Sequence, residues 1–281
     1  MEGRHIPVLI GEVLAGLDPK PGESYLDMTA GFGGHSMGVL DRTQNGKDTV
    51  LVDRDEMAIK HLKKMLPGIQ TRHEDFYQAA LWFRDKKQTF DLILMDLGVS
   101  SPQIDRSERG FSYMAEGPLD MRMDRRLGRT ADDIVNHASY KEIQQILVEY
   151  GEFMPKKAEM WALKIVRARP LVHTTDLAKL FGQPKLMAPV FQALRIAVND
   201  ELKLLSDTLP LLTELLNSGG RVAIISFHSL EDRLVKQYFR QESSRGVNSL
   251  FEVEKPLKPS REEIVNNPRA RSAILRIARR K

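Results

Sequence analysis

The sequence predicts an α/β fold with a doubly wound sheet. Short apolar runs recur at residues 25–28, 50–52, 92–95 and 222–225, and each is followed by a helical pattern. Buried parallel strands joined by crossover helices produce this pattern. The chain has 281 residues and 42% of them are hydrophobic, so it can bury a substantial core.

An insert interrupts the predicted sheet. More than a hundred residues separate the run at 92–95 from the run at 222–225, far more than a crossover helix requires. We therefore divide the chain into a core of residues 1–103 and 189–281 and an inserted helical domain of residues 104–188. The inserted domain is expected to bind the substrate.

Helix signals lie within and directly after the insert. Residues 103–129 are punctuated by glycine and predict an ordered loop. Ser139 and Glu142 form a capping box, after which apolar residues recur every three or four positions. The other predicted helices begin at Pro155, at Thr174 or Thr175, and near Pro189. The last of them is predicted as one long helix whose apolar face reaches Leu205.

The C-terminal part predicts an antiparallel strand pair at residues 250–254 and 273–278. The same part is basic, because residues 269–281 hold five arginines and a lysine and no acid. Such an edge attracts phosphate, although a solvated terminal strand gives the same pattern, and both interpretations stay open here. The formal charge of the whole chain is only +4, so bulk charge does not identify a partner.

The residue types exclude several classes of protein. The chain has no cysteine, which excludes disulfides, thiolate nucleophiles, Cys-based zinc sites and the zinc-dependent base deaminases. The seven histidines show no paired metal-ligand spacing, so no metal site is predicted. No segment approaches the ~18 uninterrupted apolar residues that a membrane helix needs. We therefore expect a cytoplasmic protein without a membrane partner.

A glycine-rich turn follows the first predicted strand. The segment DMTAGFGGHS (27–36) joins a strand to a helix, and its glycines let a ligand approach the backbone. The glycines alone also fit a tight turn with no ligand. Asp53 ends the second strand twenty residues after Gly33, where an acid can accept both ribose hydroxyls of an adenosine. The alternative is that Asp53 caps the next helix, with Glu56 in its first turn.

The charge of the predicted crevice selects the cofactor. Asp27, Asp53 and Asp96 all end strands that face the same crevice. A pyrophosphate would be repelled there, whereas S-adenosyl-L-methionine has no phosphate and carries an ammonium and a sulfonium that carboxylates attract. The dinucleotide fingerprint also lacks its third glycine, with Ser36 in that position. We predict S-adenosyl-L-methionine as the cofactor, and a methyltransferase rather than a dehydrogenase.

The segment DLGVSSPQ (96–103) stands where a methyl acceptor is expected. An exocyclic base amine has its lone pair delocalised into the ring, and an acceptor for its N–H raises its nucleophilicity and orients it. We hypothesise that Asp96 places the cofactor and accepts from the amine, while Ser100 and Ser101 shape the base pocket. The same segment also fits a strand end followed by a Ser/Pro turn.

The segment SFHSLEDR (226–233) ends the fifth strand at the same predicted edge. His228 is therefore a candidate contact to the base or to a phosphate. The structural alternative is a helix cap formed by Ser229 with Asp232, since a lone histidine at a strand end is more often structural than catalytic.

Nine motifs occur in a fixed order along the chain. They are HIPVL (5–9), DMTAGFGGHS (27–36), DRD (53–55), DLGVSSPQ (96–103), RGFS (109–112), GPLDMRMD (117–124), FQALRIAVN (191–199), SFHSLEDR (226–233) and NPRARS (267–272). Together they resemble the RsmH (MraW) family of cytidine N4-methyltransferases. The resemblance implies a class I S-adenosylmethionine-dependent methyltransferase (Rossmann-like) core with an inserted helical domain. The chain departs from the family pattern at residues 151–157 and 185–189.

The resemblance also implies a reaction and a set of contacts. The family methylates the N4 amine of a cytidine in the decoding region of 16S ribosomal RNA. The cofactor contacts carried over by motif are Gly33, Gly34, His35, Asp53, Phe76, Asp96 and Gln103. Phe76 follows the third strand, where an aromatic ring can pack on adenine. The implied partner is small-subunit ribosomal RNA or the assembled small ribosomal subunit, and the family suggests a homodimer.

The target base must be unpaired or flipped, because the cytosine amine is occupied in a duplex. The candidates for phosphate contact are Arg122, Arg125, Arg126, Lys156, Lys157 and the C-terminal arginines. Two other functions stay open. A non-catalytic ribosomal RNA-binding assembly factor would bind RNA without transferring a methyl group. A methyltransferase acting on another amine would show no salt-dependent RNA binding.

Overall fold

A computed structural model describes residues 6–281, apart from the side chains of Pro184 and Val247. In this part of the chain seven strands form one sheet. They are β1 Tyr25–Asp27, β2 Thr49–Asp53, β3 Gln70–His73, β4 Phe90–Asp96, β5 Leu216–Ser226, β6 Phe251–Val253 and β7 Ile274–Arg280. The order across the sheet is β3-β2-β1-β4-β5-β7-β6. The first five strands are parallel, and β7 runs antiparallel to both β5 and β6. The predicted α/β fold and the C-terminal strand pair are confirmed.

Helices connect the strands and fill the long interval between β4 and β5. In chain order they are α1 Ile10–Leu17, α2 Gly34–Thr43, α3 Glu56–Met65, α4 Phe76–Asp85, α5 Ser101–Asp105, α6 Tyr140–Glu149, α7 Pro155–Arg167, α8 Thr174–Phe181, α9 Pro184–Asn199, α10 Glu201–Thr208, α11 Leu212–Leu215, α12 Ser229–Ser243 and α13 Arg261–Asn266. The predicted starts at Ser139, Pro155 and Thr174 are confirmed. Among residues 6–281, none of the helices has the length and apolar character that crossing a bilayer requires.

Two hydrophobic clusters cover the two faces of the sheet. Along β4, Leu92 and Leu94 belong to one cluster, while Ile93 and Met95 belong to the other. Successive residues of a strand point to opposite faces, so a strand covered on both faces is apolar throughout. This explains why apolar runs predict the central strands. The strand Gln70–His73 has no buried residue, and no apolar run marks it.

The chain forms two compact units. The first contains the sheet and takes in the described residues up to Gly98 together with Leu202–Lys281. The second is Val99–Glu201. The sequence-based division assigned residues 104–188 to the insert and therefore placed most of α9 in the core. The structure places α9 in the second unit, because its buried face belongs to that unit's hydrophobic cluster through Val190, Ala193, Leu194 and Val198.

The apolar face predicted as one long helix is divided between α9 and α10. The break is at Asp200, whose φ of +50° lies in the left-handed region in which helices commonly end. The preceding Asn199 is buried, and its side chain accepts from the N–H of Met123 and donates to the carbonyl of Met121, both at 2.8 Å. These bonds hold the end of α9 against a distant loop, a connection that apolar periodicity cannot show.

Arg109 lies inside the ordered loop of the second unit. It is 2% exposed, and its guanidinium donates to the carbonyls of Arg122 at 3.1 Å and Met123 at 3.0 Å. The guanidinium carbon lies 5.8 Å from the centre of the Phe111 ring. Because charged donors make strong bonds to carbonyl oxygens inside a protein, Arg109 fixes the course of this loop.

We expect Arg109→Met to lower the free energy of unfolding by roughly 3 kcal/mol, because two carbonyl oxygens lose a charged donor inside the protein. Chemical denaturation of the two proteins measures the change. The matched control is Arg42→Met, which removes an exposed guanidinium and should change stability by less than about 0.5 kcal/mol. Equal losses in both variants would contradict the assigned role of Arg109.

Candidate active site

Four parallel strands of the first unit bring polar residues to one edge of the sheet. The strands β1, β2 and β4 end at Asp27, Asp53 and Asp96, and β5 ends at Ser226. The carboxyl ends of parallel strands share an edge, and open α/β sheets bind ligands there. The three aspartates picked out in the sequence therefore lie along one edge.

Asp27 is buried and satisfied by neighbouring protein groups. Its Oδ2 accepts from the hydroxyls of Tyr25 at 2.9 Å and Ser36 at 2.6 Å, and its Oδ1 accepts from the N–H of Thr29 at 3.1 Å. Burial raises the pKa of Asp27, and the hydrogen bonds from Ser36 and Tyr25 oppose the increase. Ser36, which stands in place of the third fingerprint glycine, thus ties the start of α2 to the end of β1.

The glycines of the turn are required for different reasons. Gly31 and Gly33 have φ values of +52° and +85°, which side-chain-bearing residues rarely adopt. A Cβ on Gly34 would lie 2.6 Å from the Cγ of Pro7, so glycine there permits close packing of the N-terminal segment. Pro7 belongs to the HIPVL motif, whose first residue, His5, lies outside the described residues.

Asp53 is held at the glycine turn by two backbone donors. Its Oδ2 accepts from the N–H of Gly31 and its Oδ1 from the N–H of Asp55, both at 2.7 Å. Burial raises the pKa of Asp53 to about 6. The alternative interpretation of Asp53 as a helix cap is wrong, because Asp55 caps α3 by accepting from the N–H of Met57 at 2.9 Å.

The two carboxylate oxygens of Asp96 differ: one lies near His35, and the other has no hydrogen-bond partner among the described residues. Its Oδ2 lies 3.5 Å from Nδ1 of His35. The other ring nitrogen of His35, Nε2, is 2.9 Å from the carbonyl of Val8, so Nε2 carries the proton. The Oδ1 of Asp96 is buried and has no hydrogen-bond partner within residues 6–281. Burial raises the pKa of Asp96 to about 6, and nearby His35 opposes the increase.

His228 occupies the N-cap position of α12. Its Nδ1 accepts from the N–H of Glu231 at 3.4 Å. Its Nε2 lies 3.1 Å from Oε1 of Glu231, but the angles do not make this contact a hydrogen bond. The predicted cap of Ser229 with Asp232 is therefore wrong: the cap lies one residue earlier, and the Asp232 carboxylate accepts from Arg276 at 2.8 Å.

Phe76 opens α4, directly after the capping residue Asp75. Its ring is partly buried against the core of the first unit, and the guanidinium carbon of Arg54 lies 5.8 Å from the ring centre. The ring is thus held near the carboxyl end of β3 by packing against the core and by a nearby cation.

Three of the predicted site residues belong to the second unit. Ser100 is the N-cap of α5, and Gln103 completes a capping box by accepting from the backbone N–H of Ser100 at 2.9 Å. Ser101 and Gln103 are buried. The DLGVSSPQ segment is therefore a strand end followed by a capped short helix, which agrees in outline with the strand-and-turn interpretation.

Sequence reasoning missed two residues that organise the edge. Thr29 accepts from the backbone N–H of Asp96 at 2.5 Å, and Glu231 accepts from the N–H of Phe227 at 2.8 Å. Both lie within segments already singled out, DMTAGFGGHS and SFHSLEDR. The motifs could therefore have pointed to these two residues. Their hydrogen bonds to Asp96 and Phe227 could not be predicted, because they depend on how the strands pair.

The matches to known proteins cover nearly the whole chain. The model of the MraW methylase family matches residues 2–281. A protein of Cyanothece sp. (strain PCC 7425 / ATCC 29141) named ribosomal RNA small subunit methyltransferase H is 46% identical, over 98% of this chain and 94% of that protein. A protein of the same name from Gloeothece citriformis (strain PCC 7424) is 42% identical, over 99% and 94%. A solved structure described as a putative rRNA-methylase from Clostridium thermocellum is 10% identical, with a TM-score of 0.48, and the match covers 99% of this chain and 100% of that one.

Proposed function

Because the chain belongs to the MraW methylase family, we propose that it transfers a methyl group from S-adenosyl-L-methionine to the N4 amine of a cytidine in the decoding region of 16S ribosomal RNA. The names of its relatives support RNA of the small ribosomal subunit as the substrate. The choice of cytidine N4 rests on the motif resemblance. The proposal places the protein in the cytoplasm, where it meets the RNA alone or in the assembled subunit.

The observation that carries the proposal is the open carboxylate oxygen of Asp96. Buried polar atoms in proteins almost always have a partner, so an unpartnered buried oxygen at a ligand-binding edge calls for a donor from a ligand. The Oδ1 of Asp96 is such an atom. An amine N–H of the acceptor base supplies a suitable donor.

The residues at this edge fit S-adenosyl-L-methionine. Gly31 and Gly33 have left-handed backbone conformations and no side chains, so a ligand can approach the backbone of the turn closely. The carboxylate of Asp53 is oriented by the N–H of Gly31 in the same turn. Carboxylates attract the two cationic groups of the cofactor and would repel the phosphates of a nucleotide cofactor. When bound, the cofactor supplies an electrophilic methyl group on its sulfonium.

Each predicted contact has a role in this proposal. Asp53 accepts from the ribose hydroxyls, and the backbone at Gly33 and Gly34 borders the cofactor. Phe76 packs on the adenine ring. Asp27 acts on the cofactor indirectly, because both of its oxygens hold the turn. The hydrogen bonds of Asp27 therefore hold the glycine-rich turn in its conformation before any ligand binds.

Asp96 and His35 act on the acceptor amine together. The lone pair of the cytosine N4 amine is delocalised into the ring, and a carboxylate that accepts from its N–H makes the nitrogen more nucleophilic. The same bond aims the nitrogen at the methyl group. His35 positions Asp96, because the bond from its Nε2 to the Val8 carbonyl fixes the ring with Nδ1 3.5 Å from the carboxylate.

The remaining predicted residues enter the proposal through their motifs. Ser100 and Ser101 are assigned to the base pocket, and Gln103 to the cofactor. For His228, the open Nε2 is the atom that can contact the base or a phosphate, because Nδ1 caps α12.

The test is transfer of a labelled methyl group from S-adenosyl-L-methionine to unmethylated small ribosomal subunits, followed by nucleoside analysis of the RNA. We expect N4-methylated cytidine with the unmodified protein and none with Asp96→Ala. Label in another nucleoside would refute the N4 assignment. Cofactor binding without any RNA methylation would favour an assembly factor or another amine substrate.

The affinity for S-adenosyl-L-methionine is expected to fall as the pH is lowered through about 6. Asp53 must be ionised to accept from two hydroxyls, and burial raises its pKa to about 6. Below that pH the affinity should fall by roughly tenfold per unit, as for any single required ionisation. Isothermal titration calorimetry from pH 5 to pH 8 measures the affinity for S-adenosyl-L-methionine.

Asp96 has a similar pKa, so this titration belongs in the Asp96→Asn background, where Asp53 alone of the pair changes charge. Adding Asp53→Asn to that background should weaken binding at every pH and remove the dependence. An affinity that stays constant across this range in the Asp96→Asn protein would contradict the role of Asp53.

A further inference from the structure

One exposed helix face in the second unit collects positive charge. The basic face of α7 consists of Lys156, Lys157, Lys164 and Arg167, all of them exposed. The opposite side of α7 is buried through Ala158, Trp161, Ala162 and Ile165. Residues three or four apart lie on the same side of a helix, so these cations share the side that points to solvent. The helix carries only one acid, Glu159.

Three of the other basic residues proposed for phosphate contact already share an ion pair. Arg122 pairs with Asp120 at 2.7 Å, and Arg126 pairs with Asp124 at 2.7 Å. In the C-terminal strand, the partly buried Arg276 pairs with Asp232 at 2.8 Å. Each of these three arginines therefore shares its charge with a carboxylate, which weakens its attraction for a phosphate, and its contact with RNA stays a prediction.

The basic face of α7 differs in that none of its four cations has an ion pair among the described residues. Two of them lie near aromatic rings, and the Lys164 Nζ also donates to the backbone carbonyl of Leu180, which carries no charge. The Lys157 Nζ lies 5.6 Å from the centre of the Phe153 ring, and the Lys164 Nζ lies 4.9 Å from that of Trp161. A ring restricts a lysine side chain without cancelling its charge. The four charges thus remain available to an external anion.

We propose that the basic face of α7 binds the phosphate backbone of the RNA substrate. The inference rests on the proposed function for the identity of the polyanion. A row of unpaired cations along a helix matches the repeated charges of a nucleic acid strand, and the gain on binding comes from the release of counterions. Such contacts position the RNA without reading its sequence.

The test compares two fourfold variants. The first carries Lys156→Gln, Lys157→Gln, Lys164→Gln and Arg167→Gln. The matched control carries Lys63→Gln, Lys64→Gln, Lys86→Gln and Lys87→Gln, which are exposed lysines of the first unit and give the same change of charge. Binding to an unmethylated small-subunit RNA transcript is measured as a function of salt concentration, and the affinity for S-adenosyl-L-methionine is measured in parallel.

We expect the first variant to reduce the slope of log K against log salt by roughly 3, because each phosphate contact contributes about 0.7–0.9. The control should keep the unmodified slope, and both should keep their cofactor affinity. If the first variant folds poorly, the pair Lys156→Gln and Lys157→Gln should give about half the reduction.

The outcomes separate this inference from the proposed function. Equal slopes in the two fourfold variants would overturn the inference while RNA methylation by the unmodified protein still supported the function. An unmodified protein that binds RNA with a steep slope lost in the first variant, but never methylates it, would refute the function and uphold the basic face of α7.

Discussion

Asp96→Asn is expected to lower the rate of methyl transfer by roughly 10²–10⁴-fold, the range that a positioned acceptor or donor of protons contributes. The amide keeps the size of the carboxylate but lacks its charge. An amide nitrogen placed at the open position would present a donor to the N–H of the base amine. Single-turnover transfer to unmethylated small subunits measures the loss.

The same substitution should not destabilise the protein at pH 7.5. Burial raises the pKa of Asp96 to about 6, so the folded chain binds a proton more tightly than the unfolded one, and stability falls as the pH rises from about 4 to 6. The neutral amide avoids that penalty, and its melting temperature should match or exceed that of the unmodified protein.

Asp91→Asn is the matched control for Asp96→Asn. Asp91 lies near the amino end of the same strand and accepts from Ser24 and Asn217, away from the carboxyl edge. Its loss should affect stability and leave the rate of transfer unchanged in the folded protein. Undiminished transfer by Asp96→Asn, with its cofactor affinity intact, would remove Asp96 from the reaction.

The central strands could be predicted because both faces of the sheet are covered, which makes their sequences apolar. The strand Gln70–His73 has no apolar run, because it lies at the edge of the sheet and has no buried residue, so only the family resemblance placed a third strand before Phe76. The division of the predicted long helix at Asp200 could not be predicted from the sequence either. It depends on Asn199 reaching Met121 and Met123, which are far away in the sequence.

In the candidate site too, the sequence predicts which residues come together but not the hydrogen bonds of their individual atoms. Strand ends and glycines located Asp27, Asp53 and Asp96 along one edge, since parallel strands order their carboxyl ends by topology. Spacing could not show that Asp27 is satisfied internally while Asp96 keeps an open oxygen. That difference comes from Ser36 and Tyr25 on one carboxylate and from His35 on the other.

Gly117→Ala is expected to lower the free energy of unfolding by roughly 4 kcal/mol and the melting temperature by roughly 10 °C. A Cβ at this position would lie 1.9 Å from the carbonyl oxygen of Ser107. The backbone of Gly117 cannot move away cheaply, because its N–H donates to the Thr174 hydroxyl and its carbonyl accepts from the Thr174 N–H. Differential scanning calorimetry measures both quantities.

Gly128→Ala provides the comparison for Gly117→Ala, because a Cβ at Gly128 would meet no atom within 4 Å. A glycine-to-alanine change at an unstrained position stabilises by roughly 0.4–1 kcal/mol through the unfolded chain, so the two variants should shift in opposite directions. Equal melting temperatures would mean that the loop relaxes around the new methyl group. A loss confined to the Gly117 variant would show that backbone packed on backbone requires this glycine, which makes it a structural element of the second unit rather than a sign of a ligand.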